Sequence, residues 1–126
     1  MVPTKLLWLF LAGGLGTLSR YGLASLIQRW AGGQFPFGTF VVNVTGCLLF
    51  GVIAGLAAQR EAISDETRLL FLVGFMGSFT TFSTFAYETA AMIESSQWGP
   101  AVINLLAHNA IGLAALFLGI SIAKLL

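Results

Sequence analysis

Charges in this chain are so sparse and so clustered that they leave four long apolar stretches, at about residues 5–29, 38–58, 69–94 and 100–124. Each is at or above the roughly 20 residues an α-helix needs to cross the hydrocarbon core of a bilayer. With 57% of 126 residues hydrophobic and 9% charged, little is left to coat a soluble domain. Inside hydrocarbon an unpaired backbone amide or carbonyl is costly, so spanning segments satisfy themselves as helices. The expected fold is therefore an all-α integral membrane protein, a single domain over residues 1–126 with four transmembrane helices.

Composition also excludes classes of function. A net charge of +1 supplies no basic stripe, so nucleic acid is not an expected partner. Cys47 is the single cysteine, which rules out an internal disulfide and reads as a free, buried thiol. The opening Lys5 and apolar Leu6 to Leu11 imitate a signal peptide, but apolar character continues past Arg20 to Ile27, so the segment reads as a first span. Gly14-Leu15-Gly16-Thr17-Leu18-Ser19 imitates a dinucleotide fingerprint without its strand-turn-helix context. His108 has no second His or Cys ligand beside it and is not a zinc site. With no paired acids at useful spacing and no Ser-His-Asp set, an enzyme is not expected.

Connections at residues 30–37, 59–68 and 95–99 are short, which makes successive helices antiparallel neighbours. Pro36 before Gly38-Thr39 marks the start of the second helix with Thr39 as its cap, Ser64-Asp65-Glu66 caps the third, and Pro100 suits the first turn of the fourth. Both termini fall on one side with Lys5, Arg60, Arg68 and Lys124, against Arg29 and a shallow Arg20 on the other. The positive-inside rule favours cytoplasmic termini, by a margin small enough to allow insertion both ways. Four helices enclose little by themselves, so an oligomer is expected, with Gly51 and Gly55, or Gly13, Gly16 and Thr17, as close-approach patches.

The third stretch carries the unusual chemistry. Gly74-Phe75-Met76-Gly77-Ser78-Phe79-Thr80-Thr81-Phe82-Ser83-Thr84-Phe85 places glycines and hydroxyls at membrane depth, as expected where backbone opens toward a partner, a cavity or an ion. Carbonyls freed near Gly77 suit a hard cation such as Na⁺, whereas freed amides and hydroxyls suit an anion. Phe82 and Phe85 share a helix face, with electropositive ring edges available to an anion; packing is the other use of such a pair. Asn43 offers two N–H donors without a full charge, or serves as a link between helices. Arg20 either draws an anion into a vestibule, or snorkels toward an interface or pairs structurally with Glu88. Glu88, Asn104 and His108 are further polar groups at depth, open both to helix contacts and to proton-coupled transport.

Taken together these motifs resemble the Fluc fluoride channels, also called the CrcB family. The likeness covers essentially the whole chain and is anchored by Gly13-Gly14-Leu15-Gly16 with Arg20, by Gly38 to Asn43, and by Gly74 to Phe85 followed by Glu88. The resemblance implies an antiparallel, dual-topology homodimer with a broken third helix, embedded in the lipid bilayer of the inner (plasma) membrane. It implies two passive, fluoride-selective pathways that relieve fluoride toxicity. By the same likeness Asn43, Phe82 and Phe85 line the path, Ser83 and Thr84 supply hydroxyls, and Arg20 sits near a vestibule. Glu88, Asn104 and His108 are its neighbours, and the Gly77 and Thr80 carbonyls hold a structural Na⁺ at the dimer interface. Ser78 stands where many relatives have a second glycine, and Asn104 where a hydroxyl residue is common. The alternative classes are a proton-coupled transporter of a small anion or solute, using Glu88 and His108, and a membrane assembly factor without transport.

Overall fold

A computed structural model describes residues 2–59 and 63–126. Arg60, one of the cations counted toward the charge bias, lies outside them. Helix α1 runs Val2–Ala31, α2 Phe37–Gln59, and α6 Trp98–Leu125; between them the third span, Asp65–Glu94, is built in pieces. Those pieces are α3 (Asp65–Leu69), a π-helical segment (Leu70–Met76), α4 (Gly77–Phe79) and α5 (Phe82–Glu94). All four spans are long and apolar enough to cross a membrane.

Local chemistry explains the boundaries. Gly32 and Gly33 adopt φ of 65° and 73°, the left-handed conformation that ends a helix without a Cβ penalty. The turn that follows is held by Gln28 on the last turns of α1. Its Nε2 donates to the carbonyls of Phe35 (3.1 Å) and Gly33 (3.3 Å), while its Oε1 accepts the Gly38 N–H (3.1 Å). Gln28, not Thr39, therefore satisfies an open amide at the start of α2. Thr39 lies inside the helix, where its hydroxyl is free to act elsewhere. Ser64 does cap α3, accepting the Thr67 N–H at 3.2 Å, with Asp65 and Glu66 in the first turn.

Helix α2 packs most extensively on α6, and α1 lies against α2, the π-helical segment and α4. In lipid this association rests on close van der Waals contact, since the tails are as apolar as the side chains. The glycines supply that closeness within the chain. A Cβ at Gly51 would collide with the Leu116 carbonyl, one at Gly55 with the Ala123 side chain, and one at Gly16 with the Phe75 carbonyl. The small-residue patches expected from the sequence thus face neighbouring helices of the same chain. Val42, Met76 and Phe79 form the buried core where α2 meets the third span. Phe75 and Phe79, with rings stacked 5.8 Å apart, are part of that packing. Much of the remaining apolar surface is exposed, including Leu6, Leu7, Trp8, Phe10 and Leu11 in succession on α1, as expected of a helix bathed in lipid.

Candidate functional site

The site is built around Thr80 and Thr81. Both are extended, with φ,ψ of −88°, 158° and −149°, 110°, and they separate α4 from α5 at the middle of the third span. Thr81 then caps α5. Its hydroxyl accepts the Thr84 N–H (3.2 Å) and donates to Thr84 Oγ1 (2.9 Å). Thr80 folds back, its N–H and its hydroxyl both reaching the Met76 carbonyl at 3.1 Å.

Asn43 on α2 compensates the exposed backbone. Its Nδ2 donates to the Thr81 carbonyl (3.0 Å) and its Oδ1 accepts the Thr81 N–H (2.8 Å), so one side chain takes up the amide that the interruption frees and adds a second donor to the carbonyl that opens α5. One Nδ2 hydrogen is left over, because an amide has two. The Thr81 N–H that would close on the Gly77 carbonyl in a continuous helix is diverted to Asn43. Likewise the Thr84 N–H, due to the Thr80 carbonyl, goes to the Thr81 hydroxyl. Gly46, one turn beyond Asn43, lets the Thr80 methyl seat against α2; a Cβ there would collide with it.

Arg20 does not make the pairing with Glu88 weighed from the sequence. Its Nε donates to the Ser78 carbonyl at 3.0 Å, not to Glu88, and so satisfies a further carbonyl next to the interruption. Ser78 in turn fits because glycine faces it: a Cβ at Gly13 would lie 3.2 Å from Ser78 Oγ, and one at Gly16 3.1 Å from Ser78 Cβ. Arg20, Ser83 and Thr84 line a cavity of about 620 Å³ beside Thr80 and Thr81. Thr84 also borders a larger hollow of about 680 Å³ with Gln28, Thr39 and Glu88. There Thr39 Oγ1 donates to Glu88 Oε1 at 2.7 Å.

Phe82 is 78% exposed and Phe85 buried, their ring centroids 5.5 Å apart. Asn43, Phe82, Phe85 and His108 share a third cavity of about 280 Å³, which Cys47 also lines. His108 packs its ring 4.2 Å from that of Phe85. Asn104 is fully buried and donates to the Thr89 hydroxyl (2.9 Å), which donates to the Phe85 carbonyl (2.8 Å); it fastens α6 to α5. The structure therefore gathers Arg20, Asn43, Gly77, Thr80, Phe82, Ser83, Thr84 and Phe85 around one interruption. Glu88 sits toward the larger hollow, and Asn104 lies behind in a helix contact. Thr39, Gln28 and Thr81 were not singled out as site residues from the sequence. Thr81, a residue type preferred at helix N-caps, directly precedes the Phe82–Glu94 helix, and that preference is the signal that points to the last of these.

Four apolar spans with polar groups held at depth define a small multi-pass membrane protein. Residues 7–120 match the family described as CrcB-like protein, Camphor Resistance (CrcB), and the chain belongs to that family. It is 50% identical over 122 residues to a protein of Nitrosococcus oceani, an alignment covering 97% of this chain and 98% of that one. It is 47% identical to a protein of Desulforapulum autotrophicum over 97% and 98% of the two chains, and 47% identical to one of Nitratidesulfovibrio vulgaris over 96% and 98%. All three relatives are named fluoride-specific ion channel FluC.

Proposed function

We propose that this protein is a fluoride-selective channel of the plasma membrane that lets the anion leave a cell passively, and that it works as an antiparallel, dual-topology homodimer with a broken third helix and two pathways. The observation that carries the reading is the double hydrogen bond between Asn43 and the Thr81 backbone, which keeps the third span open at membrane depth. An opening there leaves donors facing the two cavities beside it. They are the second Nδ2 hydrogen of Asn43, the Thr84 hydroxyl hydrogen, whose oxygen already accepts from Thr81, and the exposed Ser83 hydroxyl.

Fluoride is small and strongly hydrated, so a narrow path has to replace lost water with such donors, and larger anions fail on size. The Phe82 and Phe85 ring edges add on the order of 1 kcal/mol, by analogy with aromatic pairs, and supplement those donors. Arg20, with only its Nε committed, contributes positive charge near the same opening.

A structural Na⁺ fits the same interruption. The Gly77 and Thr80 carbonyls are hard oxygen donors whose helical amide partners are both engaged elsewhere. Bound there, the ion would offset the carbonyl dipoles at the centre of the assembly. Replacing Na⁺ by a large organic cation is expected to lower the dimer fraction and the flux together. Unchanged dimer and flux after exhaustive exchange would remove the ion from the design.

The function itself is tested by efflux from proteoliposomes loaded with potassium fluoride or potassium chloride and opened with a potassium ionophore. Rapid fluoride release with chloride retained is the expected result; retention of both, with insertion verified, overturns the channel. A proton-coupled transporter would use Glu88 and His108, each of which buries an unpaired atom, and would drive uptake uphill on a pH gradient.

A further inference from the structure

Among the described residues, the buried side-chain atoms without a hydrogen-bond partner include His108 Nε2. The other ring nitrogen fixes what that atom is. Nδ1 lies 3.1 Å from the Asn104 carbonyl oxygen, and a carbonyl can only accept, so Nδ1 carries the hydrogen. In the neutral ring Nε2 is then a bare lone pair, which repels an anion. Protonation converts it to a donor and adds a full positive charge.

The surroundings decide what such a charge would meet. From α5, the Phe85 ring lies 4.2 Å away at 37°; from α2, the Phe40 ring lies 5.3 Å away in an edge-on arrangement. The titratable group of α2 that shares the cavity with His108 is Cys47. On α5 the nearest acid in sequence to Phe85 is Glu88, whose Oε1 is held by Thr39 in a different hollow. Helix α6 itself brings only the neutral amides Asn104 and Asn109. An imidazolium here would thus be stabilised by aromatic rings and not neutralised by a carboxylate. Its field would reach an anion passing Phe85, and a cation against the ring also makes the ring edge more electropositive.

We propose that His108 is a titratable positioning residue of the pathway, whose protonation at Nε2 places a positive charge against the Phe85 ring and raises fluoride throughput. This rests on the fluoride-channel reading. In proteoliposomes at subsaturating fluoride, with protein-free vesicles subtracted at each pH, flux should rise as the pH is lowered from about 8 to about 5. A unit charge beside the same cavity, several ångströms from a passing anion, gives a rise of at least about tenfold.

His108→Gln and His108→Ser should each show flux with no pH dependence, whatever its absolute level. Glu88→Gln should keep the pH dependence, whatever its absolute flux. A flat wild-type profile overturns the proposal, and so does a profile that survives in a folded His108 variant or vanishes in Glu88→Gln. Nitrogen NMR of labelled histidine in the membrane gives a readout independent of flux. The ring should show Nδ1–H and a bare Nε2 at the alkaline end and titrate across the same window; the opposite tautomer overturns the assignment. Absence of fluoride flux at every pH would instead defeat the channel reading beneath it.

Discussion

Asn43→Leu should take fluoride efflux to the level of protein-free vesicles. Leucine nearly preserves the volume but makes neither of the two hydrogen bonds to Thr81, leaving the Thr81 N–H unpaired in the interior and its carbonyl with the first helical bond of α5 alone. Each unsatisfied group costs about 1–3 kcal/mol. With the Thr81 N–H unpaired, that is about one to two orders of magnitude in the population of the open backbone arrangement, and the spare Nδ2 donor is lost with it. The chain can recover part of that by closing the Thr81 N–H back onto the Gly77 carbonyl, which would rebuild a continuous helix and remove the donors the path needs. Asn43→Asp separates the two roles. It keeps an acceptor for the Thr81 N–H but sets a second oxygen against the Thr81 carbonyl and adds negative charge, so flux should be lost although half of the tie survives. Efflux compared with the unfolding midpoint in detergent checks both. Full flux in Asn43→Leu would remove the side chain from the pathway and from its scaffold.

How much of this was legible in the sequence depends on the range of the interaction concerned. The four spans follow from where charges fall, and Ser64 capping follows from residues three apart. The run Gly74 to Phe85 announces irregular backbone, because glycines and hydroxyls tolerate it. Asn43 was legible as a conspicuous amide, but its partner is 38 residues away, and only the folded chain chooses between an anion and Thr81. Arg20 and Ser78 are 58 residues apart, which is why an acidic partner was weighed and a carbonyl was not. Thr39 was misread because a threonine after Pro-x-Gly looks like a local cap. Gln28, from the preceding helix, already takes that role, and this releases the hydroxyl to Glu88. The π-helical segment has no residue signature of its own; its register comes from α1 packing against it.

Gly51 and Gly119 should prove the most sensitive positions for folding, and to a degree that depends on each other. A Cβ at Gly51 would strike the Leu116 carbonyl of α6, and one at Gly119 the Leu48 carbonyl of α2. Neither obstacle is a flexible side chain, so α2 and α6 have to separate. Overpacking of this kind costs about 1–3 kcal/mol for alanine, and a leucine should prevent assembly altogether. Gly112→Ala in the same interface is the control, because its Cβ would meet only Cys47 Sγ at 3.5 Å, an ordinary contact. The added Cβ of Gly119→Ala would also lie 3.1 Å from the Gly51 carbonyl carbon, so the two sites share one gap. Once the first alanine has forced the helices apart, the second finds room already made. The double variant should therefore lose distinctly less stability than the two single losses added together, as coupled neighbours do. Strict additivity in such a cycle would mean that each methyl is absorbed locally without helix separation. No loss in either single variant would mean that α2 and α6 do not meet at this spacing.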